Sequence, residues 1–210
     1  MQANYWHERW SENRIGFHNA DAHPMLVAHF DALKLEPGAR VFVPLCGKSR
    51  DIGWLLAQGC RVVAAELSRI AVQALFKDLG IAPDIKPSGA LECFSAPGLD
   101  VFVGDILNLD AAALGAVDAT YDRAAVVALP PDMRAAYAAH VCRITNQAPQ
   151  LLISFDYDQT VMAGPPFSVS EQELQSHYGS GYRLEQLKST PVDGGLKGFC
   201  PALETLWLMR

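Results

Sequence analysis

The sequence predicts an α/β fold that is doubly wound around a mostly parallel sheet, with helices on both faces. Two observations support this prediction. Short β-branched runs alternate along the chain with segments of helical periodicity, and the runs are apolar almost throughout. Strands of that kind are buried on both faces, so helices must cover both sides of the sheet. With 210 residues, half of them hydrophobic, we expect a single domain over residues 1–210.

The first half of the chain contains two strand-helix units. The apolar runs at residues 40–44 and 61–66 predict two strands. Ser49 is a candidate N-cap for the helix between them, and a second helix is expected to begin after Ser68 and to end at Gly80. This order is typical of parallel strands connected by helices.

The second half repeats the pattern after a looser segment rich in Pro, Gly and Ser, residues 81–100. Apolar runs predict three more strands, at residues 101–105, 119–123 and 151–155. Pro130 and Pro131 are expected to open a helix, and residues 170–173 have the spacing of a capping box for another. Residues 202–209 alternate in polarity and predict an antiparallel final strand, paired with residues 182–187.

Composition limits the classes of function. The chain has 17 basic and 23 acidic residues, so its net charge of −6 disfavours nucleic acid and anionic membranes as partners. Five cysteines without a C-x-x-C pair favour reduced thiols in the cytoplasm. The six histidines lack metal-ligand spacing, and there is no G-x-S-x-G motif, so we expect neither a metal site nor a covalent nucleophile. We also expect a monomer, because no apolar stripe is left unassigned.

The loop after the first strand, residues 44–49, has features of a ligand-binding turn. Its Gly-Lys-Ser matches the end of a P-loop, but Phe42 stands where that motif needs a glycine. The dinucleotide fingerprint G-x-G-x-x-G is absent as well. A single glycine, Gly47, would let a small carboxylate approach the backbone. A plain strand-to-helix turn is the alternative.

Polar residues follow two neighbouring strands at their carboxyl ends, where open α/β sheets bind ligands. Glu66 could accept hydrogen bonds from the two hydroxyls of a ribose. Asp105 could contact an adenine edge, with Leu67 and Ile106 covering the faces of the ring. A solubilising acid and a turn aspartate are the plain alternatives. Together with the first loop, these residues predict an adenosine-type ligand.

The charged pair Asp122-Arg123 ends an otherwise apolar strand. Arg123 could be paired with Asp122 or Asp105, or it could face a pocket where a reaction occurs. Both interpretations remain open at this point.

Aromatic and apolar segments are expected to cover the ligand. About residues 1–35 precede the first strand and predict a helical lid, in which Trp6 and Trp10 share one face. Their rings could shelter a sulfonium cation, or they could simply pack in the core. Residues 164–167 follow the fifth strand and form either a rigid turn or the wall of a flat substrate site.

Several of these motifs, in this order along the chain, resemble the thiopurine S-methyltransferase family, in its bacterial branch. They are Trp6 and Trp10, Phe17 and His18, residues 43–48 (Val-Pro-Leu-Cys-Gly-Lys), residues 66–68 (Glu-Leu-Ser), Asp122, Arg123 and Ala125, and residues 164–167 (Gly-Pro-Pro-Phe).

The resemblance implies a class I methyltransferase fold, which is Rossmann-like with a seven-stranded sheet, and S-adenosyl-L-methionine as the cofactor. It also implies S-methylation of thiopurines and aromatic thiols, and an association with detoxification of selenium or tellurium compounds. The residues expected at the cofactor are Trp10, Leu45, Glu66, Leu67, Asp105, Ile106 and Arg123.

On the substrate side, the resemblance points to Phe17, Pro165, Pro166, Phe167 and Lys197, with Arg123 as the catalytic residue. The family often has an arginine in the loop before the last strand, whereas Lys197 is the only basic residue there in this chain. A lysine cannot make the planar bidentate contact of an arginine.

Two other classes of protein compete with this interpretation. One is a nucleotide- or dinucleotide-binding enzyme on the same layout, which the missing glycines disfavour. The other is a non-catalytic protein that binds chalcogen compounds through its cysteines, which their scattered positions disfavour. A small-molecule thiol is therefore the expected partner.

Overall fold

The structure is a computed structural model that describes residues 3–16 and 18–210. The strands in this part of the chain are β1 (Arg40–Val43), β2 (Arg61–Glu66), β3 (Asp84–Ser88), β4 (Leu91–Ala96), β5 (Leu99–Val103), β6 (Ala119–Arg123), β7 (Gln150–Asp156), β8 (Leu184–Pro191) and β9 (Leu203–Met209). The α-helices are α1 (Ala3–Ser11), α2 (Pro24–His29), α3 (Arg50–Ala57), α4 (Arg69–Leu79), α5 (Ala111–Leu114), α6 (Pro131–Ile144) and α7 (Glu171–Tyr178).

The strands form one mixed sheet in the order β3-β4-β5-β2-β1-β6-β7-β9-β8. Its five central strands are parallel, while the β3–β4 hairpin at one edge and β8–β9 at the other pair antiparallel. The antiparallel final strand is confirmed. The expected seven-stranded, mostly parallel sheet is wrong, because nine strands are described and only four of their eight pairings are parallel.

The missed strands explain the difference in count. The β3–β4 hairpin lies within the segment that composition marked as loose, and every residue of β3 is at least partly exposed. An exposed edge strand has no need for an apolar run, so its sequence lacks the signal that identified the central strands.

Local capping sets the helix boundaries as predicted. The hydroxyl of Ser49 accepts a hydrogen bond from the Asp51 amide, and that of Ser68 accepts one from the Ala71 amide. Gly80 ends α4 in the left-handed conformation, with a φ of 70°.

The sheet separates two hydrophobic cores. Val41 and Val43 of β1 face the core formed with α2, α3 and α4, while Phe42 faces the core formed with α6 and α7. The prediction of helices on both faces is therefore confirmed. No helix in the described ranges is long and apolar enough to cross a membrane.

The turns that follow the parallel strands lie together at the carboxyl ends of those strands. We call this end of the sheet the carboxyl edge, which is distinct from the two outer strands. The β8–β9 connection lies at the same edge, because Leu203 at the start of β9 pairs with Asp156 at the end of β7. The N-terminal segment reaches this edge too. The Trp10 ring packs on Gly47 so closely that a Cβ at Gly47 would be 3.0 Å from the ring.

Candidate active site

Glu66 connects the turn that follows β1 with the turn that follows β2. Its Oε2 accepts a hydrogen bond from the Gly47 amide and its Oε1 accepts one from the Ser68 amide, both at 2.8 Å. The side chain is only 6% exposed. Burial raises the pKa of this carboxyl, while the backbone N–H donors act in the opposite direction. A buried carboxylate therefore organises the site before any ligand arrives.

The first loop is tightly folded between β1 and α3. Leu45 and Gly47 both have a left-handed backbone, with φ of 45° and 54°, and the Cys46 amide donates to the Ala65 carbonyl at 3.0 Å. Lys48 is paired with Asp78 of α4 at 3.1 Å. The lysine of the Gly-Lys-Ser sequence is therefore engaged with a carboxylate on a neighbouring helix. Leu45 is half-buried beside the loop.

The two residues predicted to cover an adenine ring lie beyond neighbouring strands. Leu67 follows β2 and is half-buried, and Ile106 follows β5 and is buried. Asp105 is exposed, and its Oδ1 accepts a hydrogen bond from the Leu107 amide at 2.9 Å, so it caps a short 3₁₀ turn. The Gly104 amide donates to the Glu66 carbonyl at 2.9 Å, which brings the two strand ends together.

Asp122 and Arg123 do not form the ion pair that was one interpretation of their sequence. Asp122 is 1% exposed and accepts hydrogen bonds from the Tyr137 hydroxyl at 2.6 Å and from the Val126 amide at 3.1 Å. Arg123 is half-buried, and within the described part of the chain it has no hydrogen bond or ion pair.

The 164–167 loop packs against the turn that follows β6. The Phe167 amide donates to the Val127 carbonyl at 2.7 Å, and the Tyr157 hydroxyl donates to the Pro166 carbonyl at 2.6 Å. Pro165, Pro166 and Phe167 are all half-buried. The structure therefore brings this loop and Arg123 to the same strand end.

Sequence reasoning did not identify Arg134 as part of this arrangement. This side chain is 1% exposed, is paired with Glu173 at 2.7 Å, and donates to the Leu129 and Ser168 carbonyls. Its guanidinium carbon also lies 5.5 Å from the centre of the Phe167 ring. A charged residue beside an apolar helical stripe is normally solvated, so the sequence offered no signal for this burial.

The other two predicted substrate residues are Phe17 and Lys197. Lys197 lies in the β8–β9 connection and is exposed. Phe17 lies outside the described residues. Its neighbour His18 is half-buried, and burial together with the charges of Lys48 and Arg50 lowers the pKa of its imidazole. Across residues 3–16 and 18–210, no group of acids, histidines and cysteines is arranged to hold a metal.

The fold is that of class I S-adenosyl-L-methionine-dependent methyltransferases. One similar solved structure is a 1,6-didemethyltoxoflavin-N1-methyltransferase of Burkholderia thailandensis, with S-adenosylhomocysteine bound. It is 16% identical, with a TM-score of 0.65 over 98% of this chain and 86% of that one. A TehB-like methyltransferase of Corynebacterium glutamicum, also 16% identical, has a TM-score of 0.58 over 98% and 96% of the two chains.

Sequence similarity identifies the family within this class. The sequence profile of the thiopurine S-methyltransferase family matches residues 1–198. The chain is 55% identical to a thiopurine S-methyltransferase of Xanthobacter autotrophicus, over 100% of this chain and 99% of that protein. It is 50% identical to one of Gluconobacter oxydans, over 97% and 92%. The chain therefore belongs to the thiopurine S-methyltransferase family and is an S-adenosyl-L-methionine-dependent methyltransferase, as the resemblance predicted.

Proposed function

We propose that the protein methylates the sulfur of thiopurines and aromatic thiols at the carboxyl edge of its parallel strands. The observation that carries this proposal is Arg123. Arg123 is half-buried, makes no hydrogen bond or ion pair with a described residue, and stands beside the turn that holds Phe167. A cation next to an apolar wall suits an acceptor that is flat and becomes anionic when its sulfur loses a proton.

The cofactor assignment depends on the chemistry of the donor set. A carboxylate has about four acceptor positions, and the Gly47 and Ser68 amides use two of those on Glu66, while the Leu67 amide also faces the carboxylate. We assign the acceptor capacity that these amides leave to the ribose hydroxyls. Leu67 and Ile106 would cover the adenine ring, with Asp105 at its edge. Leu45 and Trp10 would contact the methionine part, next to Arg123.

The chemistry requires alignment more than acid-base catalysis. The bound cofactor supplies a methyl group that is already activated by a positively charged sulfur. The remaining task of the protein is to hold the acceptor sulfur in line and in its anionic form. A charge-assisted contact from Arg123 would contribute about 1.5–3 kcal/mol, which is about 10- to 150-fold in rate.

The acceptor side would be formed by Pro165, Pro166 and Phe167, with Phe17 from the N-terminal segment and Lys197 at the rim. A site that selects a polarizable anion in this way would also suit selenium and tellurium nucleophiles. We therefore include these compounds, and their detoxification, in the proposed range of acceptors.

One panel of measurements tests the proposal against its alternatives. Thermal unfolding is followed with S-adenosyl-L-methionine, its demethylated product, NAD and ATP, and methyl transfer to 6-mercaptopurine is then measured. We expect stabilisation by the first two ligands and turnover that Arg123→Ala reduces. Arg61→Ala is the matched control, because Arg61 is exposed at the amino end of β2, away from the carboxyl edge. Stabilisation by NAD or ATP alone, or binding without methyl transfer, would contradict the proposal.

A further inference from the structure

The turn after β6 holds both sides of the proposed acceptor site. Arg123 is the last residue of β6, and the backbone then passes through Ala124, which has a φ of 61°. Three residues further on, the Val127 carbonyl accepts the hydrogen bond from the Phe167 amide at 2.7 Å. A shift of this turn would therefore move the guanidinium and the aromatic wall together.

The conformation of the turn is unfavourable by itself. A left-handed backbone is rare for residues with a Cβ, and it persists only where the surroundings impose it. Here the Asp122 carboxylate supplies that constraint. Its Oδ1 accepts from the Val126 amide at 3.1 Å, and its Oδ2 accepts from the Tyr137 hydroxyl of α6 at 2.6 Å.

Stability alone does not favour a carboxylate at this position. Among the described residues, the titratable groups facing Asp122 and Tyr137 are the hydroxyls of Tyr137 and Tyr178 and the thiol of Cys142, and none of them is a cation. Burial raises the pKa of Asp122 to about 6. The charged form is thus held at a cost, as is common for groups that serve a site.

We propose that Asp122 and Tyr137 are positioning residues for methyl transfer, which fix the 124–128 turn and thereby the placement of Arg123 and Phe167. The inference rests on the proposed function, since it gives Arg123 and Phe167 their roles at the acceptor. It assigns Asp122 a role through the backbone, distinct from an ion pair with its neighbour.

The experiment compares two tyrosine-to-phenylalanine variants. Tyr137→Phe removes the hydroxyl that holds Asp122. Tyr178→Phe is the matched control, because its buried hydroxyl has no hydrogen-bond partner among the described residues. We expect Tyr137→Phe to lower kcat/KM for 6-mercaptopurine by roughly tenfold, while the Kd for S-adenosyl-L-methionine changes by less than about threefold. Tyr178→Phe should leave both constants near wild type.

Hydrogen exchange provides a readout that does not depend on activity. In Tyr137→Phe, the amides of Val126 and Phe167 should exchange faster than in wild type, and in Tyr178→Phe they should not. Asp122→Asn keeps an acceptor oxygen for the Val126 amide. This amide should therefore exchange at a rate closer to wild type in Asp122→Asn than in Asp122→Ala. Unchanged exchange in Tyr137→Phe would overturn the inference, whatever the protein methylates.

A double-mutant cycle shows whether the effect passes through Arg123. If it does, Tyr137→Phe should cost much less in an Arg123→Ala background than in wild type, because the group being positioned is gone. Equal costs in the two backgrounds would indicate a purely structural role and would also overturn the inference. Wild-type turnover in Arg123→Ala alone would instead contradict the proposed function.

Discussion

The cofactor assignment can be tested by replacing Glu66 with glutamine, which keeps the size of the side chain and removes its charge. We expect Glu66→Gln to weaken the binding of S-adenosyl-L-methionine while the protein still folds. The two effects are separable because the Glu66 oxygens have different partners. The Gly47 and Ser68 amides hold the backbone of the first two turns to these oxygens, and the acceptor capacity that the backbone leaves is assigned to the ligand.

The size of each effect follows from these contacts. Losing a charge-assisted hydrogen bond to the ribose costs about 1.5–3 kcal/mol, which raises Kd by about 10- to 150-fold. In the folded protein, the new NH₂ group would face either the Gly47 or the Ser68 amide, at a cost of about 1–2 kcal/mol. Removing a buried charge offsets part of that cost, since burial raises the pKa of Glu66. The melting temperature should therefore fall by only a few degrees.

Calorimetric titration with S-adenosyl-L-methionine measures the affinity, and thermal unfolding measures the stability. Glu92→Gln is the matched control, because Glu92 lies on β4 in an exposed ion pair with Arg69. The raised pKa adds a second signature. As pH falls through the pKa of Glu66, the side chain takes up a proton and the wild-type protein binds S-adenosyl-L-methionine more weakly. The affinity of the glutamine variant should lack this pH dependence. Wild-type affinity in a folded Glu66→Gln protein would show that Glu66 does not bind the cofactor.

Four further predictions follow from other contacts. Arg123→Ala should reduce methyl transfer to 6-mercaptopurine by about 10- to 150-fold with little change in melting temperature, and a stability loss larger than that of Arg61→Ala would instead indicate a structural role. The pKa of Asp122, about 6 in the fold, exceeds that of an unfolded aspartate, so its stabilising contribution is complete below about pH 4 and lost as pH rises through 6. In urea unfolding, wild type should therefore lose about 2 kcal/mol relative to Asp122→Asn between pH 4 and pH 6, and parallel curves would refute this. Arg134→Met breaks a buried ion pair and should cost about 3 kcal/mol, or about 6–12 °C in melting temperature; a change below 2 °C would mean that the pair adds no stability. Adding S-adenosylhomocysteine with a thiol should change the tryptophan fluorescence of wild type but much less that of Trp10→Phe, and equal changes would place the responsive ring elsewhere.

Features with local causes were predictable from the sequence. The caps at Ser49 and Ser68 and the helix end at Gly80 depend on residues within one turn, so sequence spacing identifies them. The central strands were also predictable, because burial on both faces requires an apolar run. The β3–β4 hairpin was missed because an exposed edge strand has no such requirement.

Partners that are distant in sequence were not predictable. Glu66 was found at the end of β2, but its bond to Gly47 spans 19 residues and requires the folded sheet. An ion pair between Asp122 and Arg123 was one interpretation of the sequence, whereas the face of β6 on which Asp122 lies directs it to Tyr137. Which face a polar residue takes at a strand end depends on the packing of helices that join the sheet later in the chain.

The two edge strands of the sheet affect how the protein behaves at high concentration. An unpaired edge is a template on which a second molecule can add a strand. At one edge, β3 contains Lys86 and Pro87, and a proline cannot donate to a ladder. At the other, β8 contains Lys188 and Pro191, and its pairing with β9 is interrupted between Gln186 and Lys188. Both edges therefore oppose edge-to-edge aggregation.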